Sequence, residues 1–238
     1  MKTTARASVC GVRGGVALAV VLAAACGSQD GKPSAPAPTG TVTDVDGNIY
    51  PTITIGKQEW MVANLKTTKY SDGSAIPNVT ADSDWGGLAS GAYAFYDNDA
   101  ANKDVLGALY NWYAVRTGKL CPTGWSVPSD DNWGALAAAL GGKVLAGGRM
   151  KEAGTAHWQS PNTGATNDSG FTALPAGFRS VPGSFVWKGT SAIWWSSSDD
   201  PLSLPPTSRS WDVDTISTST AGSPSPWEEG YSIRCLRN

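Results

Sequence analysis

Carboxylates, oxygen-rich loops, tryptophans and cysteines are the side chains here that could do chemistry. The carboxylates form close pairs at Asp199/Asp200, Asp212/Asp214 and Glu228/Glu229, and glycoside hydrolysis needs two carboxylates across a cleft. Adjacent acids on a strand point to opposite faces, which disqualifies Glu228/Glu229, whereas Asp212 and Asp214 share a face but sit close together. The pairs read more simply as surface charge. In the stretch YDNDAANKD, the oxygens of Asp97, Asn98, Asp99, Asn102 and Asp104 partly match the alternate spacing of a calcium loop. The glycine and closing glutamate of an EF-hand are missing, so the competing expectation is a solvated turn before a helix, with Asp104 as the cap. The sole histidine, His157, has no ligand partner at metal spacing, which excludes a catalytic zinc site.

Tryptophan is the most suggestive usage, with 11 in 238 residues. Trp112 and Trp133 lie in helical stretches, and Trp60 and Trp125 in framework blocks. Trp158, Trp187, Trp195 and Trp211 remain as candidates for a sugar-binding surface, which needs an apolar platform edged by hydrogen-bonding groups. The competing expectation is an irregular core rich in tryptophan. Trp194 and Trp195 are consecutive in a strand and should face opposite ways, so that only one joins the core unless a bulge intervenes.

The elements that must position these groups begin after a leader. Residues 1–25 carry Lys2, Arg6 and Arg13 ahead of an uncharged run from Val16 to Ala25, a secretory signal too short to span a bilayer as a mature helix. The run ends in Ala23-Ala24-Ala25-Cys26, which resembles a bacterial lipobox; this implies a lipid on Cys26 and a membrane-anchored, exported protein, with the outer membrane as its expected address. Residues 26–40, from Cys26 through GSQDGKPSAPAPTG, read as a tether with little to bury. Residues 41–238 read as one domain. After Cys26 fifteen basic residues stand against twenty acidic ones, a net charge of −5 that excludes nucleic acid as a natural partner. Cys10 leaves with the signal and Cys26 takes the lipid, so Cys121 and Cys235, 114 positions apart, are most simply one disulfide.

From Val42 the alternation of TVTDV, IYPTITI and QEWMVANL around Asp46-Gly47-Asn48 and Gly56-Lys57 predicts hairpins. DVLGALYNWYAV predicts a first amphipathic helix with Leu106, Leu109, Tyr110 and Tyr113 on one face. Ser129 predicts the N-cap of a second, with Trp133, Leu136, Ala137 and Leu140 inward and Gly141-Gly142 as its end. The last hundred residues break into short strands without a long helical period.

ALYNWYAV, LCPTGWSVPSDDNW, AGGRMKE, SPNTGATNDSGFTALPAGFR, WWSSS and GYSIRCLRN resemble the successive blocks of the Fibrobacter succinogenes major paralogous domain, a family of exported bacterial domains that are often lipoproteins. The resemblance runs from about Val42 to Arg237. VPSDDNW and GYSIRCL are also similar to blocks of formylglycine-generating-enzyme-type sulfatase modifiers. That similarity implies an α+β, C-type-lectin-like fold: two helices on a twisted, irregular, mostly antiparallel sheet with long loops, and the same Cys121–Cys235 link. It does not carry over the oxidase activity, because no thiol remains outside the bridge. Nor does Ser160-Pro161-Asn162 carry over the Glu-Pro-Asn sugar motif of calcium-dependent lectins, since Ser160 lacks the carboxylate. The expectation is a non-catalytic envelope module that binds an extracellular polysaccharide or an envelope protein, without a cofactor unless calcium occupies the loop at Asp97. A carbohydrate-active enzyme with a loop-built site and a purely structural component are the alternatives.

Overall fold

The computed structural model describes residues 35–200 and 207–238. The expected signal, the expected lipid site at Cys26 and most of the expected tether lie outside the described residues. In chain order the strands are β1 (Gly40–Thr43), β2 (Ile49–Ile55), β3 (Gln58–Met61), β4 (Tyr93–Ala94), β5 (Leu109–Tyr110), β6 (Trp125–Ser126), β7 (Phe178–Arg179), β8 (Phe185–Val186), β9 (Ser191–Asp200), β10 (Thr207–Asp214), β11 (Ala221–Pro226) and β12 (Leu236–Arg237). The α-helices are α1 (Asp82–Trp85), α2 (Lys103–Leu106), α3 (Trp112–Val115), α4 (Asp130–Ala139) and α5 (Lys143–Met150). The fold is α+β, with few helices and mostly antiparallel, curled sheets.

The first sheet has the order β1-β2-β3-β12-β6 with antiparallel pairing throughout. Its opening turn is set by Asp44, whose Oδ1 accepts the backbone N–H groups of Asp46 and Asn48 at 3.0 and 2.9 Å and whose Oδ2 accepts the Tyr50 hydroxyl at 2.6 Å. Gly47 takes the positive φ of 82° that the turn requires. The second sheet, β11-β10-β9, is the platform of the domain. Trp194 and Trp195 leave β9 on opposite faces, and neither is exposed. This corrects the expectation that only one joins the core: both faces of the sheet are covered. On one side Trp194 packs with Trp60, Trp133, Phe171 and Trp211; on the other Trp195 packs with Tyr110, Phe178, Ile193 and Tyr231.

The expected first helix is broken. Gly107, at φ 79°, ends α2, and a side chain there would collide with Asn64 and Leu65. Leu109 and Tyr110 then pair with β4 instead of continuing the helix, and Asn111 caps the short α3 through its side chain. Long-range pairing of Tyr110 with Tyr93 and Tyr231 has overridden the local helical period. The second helix forms as read. Ser129 Oγ accepts the Asn132 N–H at 3.3 Å while Asn132 Oδ1 accepts the Ser129 N–H at 2.9 Å, a reciprocal cap. Helix α5 had no sequence signal, because Gly147 and Gly148 lower helix propensity; they are there because any side chain would strike the backbone of Ser219 and Gly164.

Long irregular segments leave carbonyls outside any ladder, and buried cations take them up. Arg179, fully buried, donates to Val79, Thr80 and Gly183 carbonyls and to Asp82, between the rings of Trp85 and Phe185. Lys151, also fully buried, donates to the carbonyls of Thr163, Asp214 and Ser217 at 2.9, 2.7 and 2.8 Å. Cys121 and Cys235 form the disulfide, with Cα atoms 5.9 Å apart.

Candidate functional site

The tryptophans sort themselves by exposure. Trp158, Trp195 and Trp211 are 1%, 0% and 2% exposed. Each indole N–H is spent inside, on the Ala173 carbonyl, the Tyr110 carbonyl and Asp130 Oδ1 respectively. The expectation of a binding platform at these three positions is therefore corrected: they fill the two cores, where loops of low regularity need large rings for volume. Trp187 differs, at 58% exposed.

Trp187 owes its position to a tight turn between β8 and β9. Its φ is 66°, uncommon for a bulky residue. The turn holds because the Trp187 carbonyl accepts the N–H groups of Thr190 and Ser191 at 3.0 and 3.1 Å and the Thr190 hydroxyl at 3.0 Å. Beneath the indole, Phe178 stands edge-on with ring centroids 5.0 Å apart. Gly189 and Gly177 anchor the turn to neighbouring loops through Pro175 and Ser191.

The ring borders an open cavity of about 290 Å³ lined also by Thr190, Ser191, Asp212, Asp214, Thr215 and Ile216. Ser191 opens β9 and Asp214 closes β10 directly opposite it in register. Asp214 Oδ1 accepts the N–H groups of Ile216 and Ser217 at 2.8 and 2.7 Å, which shapes the loop that forms the far wall. Lys151 fixes the same loop from beneath through its bonds to the Asp214 and Ser217 carbonyls. Asp212 shares the face of Asp214, as the strand period requires. Its carboxylate accepts no hydrogen bond among the described residues, and burial, reinforced by the charge of Asp214, raises its pKa from 3.8 to about 6.

That shift has a stability consequence. A carboxylate whose pKa is higher in the folded state opposes folding once it is charged, so the penalty is full at pH 7 and vanishes below 3.8. Asp212→Asn is expected to raise the unfolding free energy by about 2 kcal/mol at pH 7, the shift being discounted for partial exposure. Urea titrations at pH 7 and pH 3.5 check it; a gain of equal size at both would show that charge is not the cause.

The other expected sites scatter. In the oxygen-rich loop Asp99 Oδ1 accepts the Ala101 N–H at 2.9 Å, and Asn102 Nδ2 donates to the Tyr96 carbonyl at 2.8 Å. Asp97 sits in the left-handed region at φ 55°, and Asp104 pairs with Lys66 at 2.8 Å from within the first turn of α2. The side chains of Asp99, Asn102 and Asp104 already have structural uses, and no three His, Cys, Asp or Glu side chains converge among the described residues. Glu228 accepts the Tyr113 hydroxyl while Glu229 lies against the Tyr231 hydroxyl, so that pair is divided. Asn162 turns inward, donating to the carbonyls of Glu152 and Gly154 at 2.9 and 2.6 Å. Sequence reading named Trp187, Asp212 and Asp214 separately but missed Thr190, Ser191, Thr215 and Ile216, and missed that all seven meet. The only local signal was the Gly189-Thr190 turn after an exposed-type VWK.

The model of the Fibrobacter succinogenes major domain family matches residues 53–237. The match covers most of the chain, and the chain belongs to that family. Comparisons with curated proteins and with solved structures give no match.

Proposed function

We propose that this member of the Fibrobacter succinogenes major domain family is a non-catalytic, lipid-anchored envelope module that binds extracellular polysaccharide. The observation that carries the reading is the exposed Trp187, held over Phe178 at the rim of a cavity whose other walls are the carboxylates of Asp212 and Asp214, three hydroxyls and the exposed side chain of Ile216. A sugar ring presents an apolar face and a belt of hydroxyls, and this pairing of surfaces accommodates both. The fold in this reading is C-type-lectin-like, supported by α4 and α5 lying beside antiparallel sheets joined by long loops. Cys26 carries the lipid and residues 27–40 serve as the tether, which places the domain at the outer membrane. The intact mass of the exported protein tests this, an unlipidated N-terminus being the adverse result.

A glycan array probed with the full chain tests the binding. Specific sugars should be retained, and Trp187→Ala should weaken them by up to about tenfold, the scale of one lost aromatic contact. Circular dichroism should stay unaltered, because the ring is largely outside the core. An array with no signal above a denatured control overturns the reading. Hydrolysis is a second reading, favoured by Asp212, whose raised pKa suits a general acid. Release of reducing ends from a bound sugar, abolished by Asp212→Asn, would establish it in place of simple binding.

A further inference from the structure

The cavity under Trp187 has a charge that a neutral sugar does not answer. Among the described residues both ionisable side chains in its lining are carboxylates, Asp212 and Asp214, and no lysine, arginine or histidine lines it. Asp214 is partly satisfied by two backbone N–H groups. Asp212 has no such partner, and its cross-strand neighbours, Ile193 on β9 and Ala221 on β11, offer no charge. The other titratable groups acting on this face are Tyr231 and, against its hydroxyl, Glu229, which add no cation. The ammonium of Lys151, beneath the same loop, already donates to three carbonyls, and that of Lys188, next to Trp187 in the chain, lies over the Tyr96 ring.

We infer that the site selects a sugar carrying a protonated amine, an amino sugar without its acetyl group, which places its ammonium between Asp212 and the face of Trp187. This rests on the polysaccharide reading above. An ammonium supplies the charge-assisted hydrogen bond that Asp212 lacks, and such bonds are about twice as strong as those from a neutral hydroxyl. It also meets the negative face of the indole, which attracts cations within about 6 Å of its centroid. The carboxylate left uncompensated by the fold is thereby neutralised on binding, in agreement with the pKa that burial has raised.

The test compares two ligands of one scaffold, glucosamine tetramers and their fully N-acetylated counterparts, by calorimetry on the full chain at about pH 7, above the pKa of about 6 of Asp212 and below the range in which amines of this kind lose their proton. The amine form should bind at least about tenfold tighter, and the advantage should shrink with added salt. Asp212→Asn should bring the amine form down to the affinity of the acetylated one, while Trp187→Ala should weaken both. Equal or tighter binding of the acetylated tetramer overturns the inference and leaves the polysaccharide reading standing. So does a preference that survives Asp212→Asn, or failure of both tetramers while other sugars bind. Only a blank array removes the polysaccharide reading as well.

Discussion

Replacing both Cys121 and Cys235 with alanine is expected to lower the unfolding free energy by about 4 kcal/mol. The two residues are 114 positions apart, and cross-linking a loop of that length removes conformational entropy worth about 4–5 kcal/mol from the unfolded chain. What the bridge joins makes the loss structural as well. Cys121 follows α3, and Cys235 immediately precedes β12, the strand inserted between β3 and β6. The Cys235 carbonyl accepts the Met61 N–H at 3.1 Å, so the cystine secures the seam between the C-terminal strand and the first hairpin. Both residues are buried, at 5% and 0% exposed. Serine in place of alanine should therefore cost more, by leaving hydroxyls short of partners in the core. Urea unfolding of the oxidised parent, the reduced parent and the two double variants measures this. The reduced parent should fall to the level of the alanine variant. Equal stability of oxidised and reduced forms would refute the argument.

The bridge belongs to the part of the fold that could be read from sequence, because it follows from counting cysteines once the leader is read as an export signal. So do the Asp46-Gly47-Asn48 turn and the Ser129 cap, whose determinants lie within four residues of the structure they make. Features decided by distant contacts were not legible. Leu106, Leu109, Tyr110 and Tyr113 have helical spacing, but Tyr110 gains more by bridging Tyr93 and Tyr231 across the chain. Gly147 and Gly148 look like helix breakers until Ser219 and Gly164 are seen pressed against them. Trp158, Trp187, Trp195 and Trp211 were equivalent as letters. Exposure separates them, and exposure depends on which loops come to lie over which ring. The candidate site was legible only in fragments for the same reason: Trp187 and Asp212 are brought together by the pairing of β9 with β10.

The same dependence on distant partners governs Arg234, whose removal should cost about as much as the disulfide. It is 1% exposed, and no carboxylate lies among its hydrogen-bond partners in the described residues. Burial pulls its pKa down to about 9, which still leaves it charged at pH 7. The charge is tolerated because the guanidinium fork is answered by dipoles. Nε and Nη2 donate to Asn64 Oδ1 at 3.2 and 3.0 Å, and Nη1 donates to the carbonyls of Met61, Val62 and Phe171. The plane lies over the Phe171 ring at 4.3 Å, with Trp194 at 5.9 Å. One side chain thus ties carbonyls at the end of β3 to the loop around Phe171. Arg234→Met keeps much of the volume but strands these acceptors away from water, at about 3–5 kcal/mol for a broken buried polar network. Arg234→Lys should recover only part of that, because three donors on a single nitrogen cannot span acceptors on two sides of a planar fork. Urea unfolding at pH 7 reads both variants. A methionine variant within about 1 kcal/mol of the parent would mean that water can enter and replace the guanidinium; a lysine variant as stable as the parent would mean that charge, and not the fork, holds these segments together.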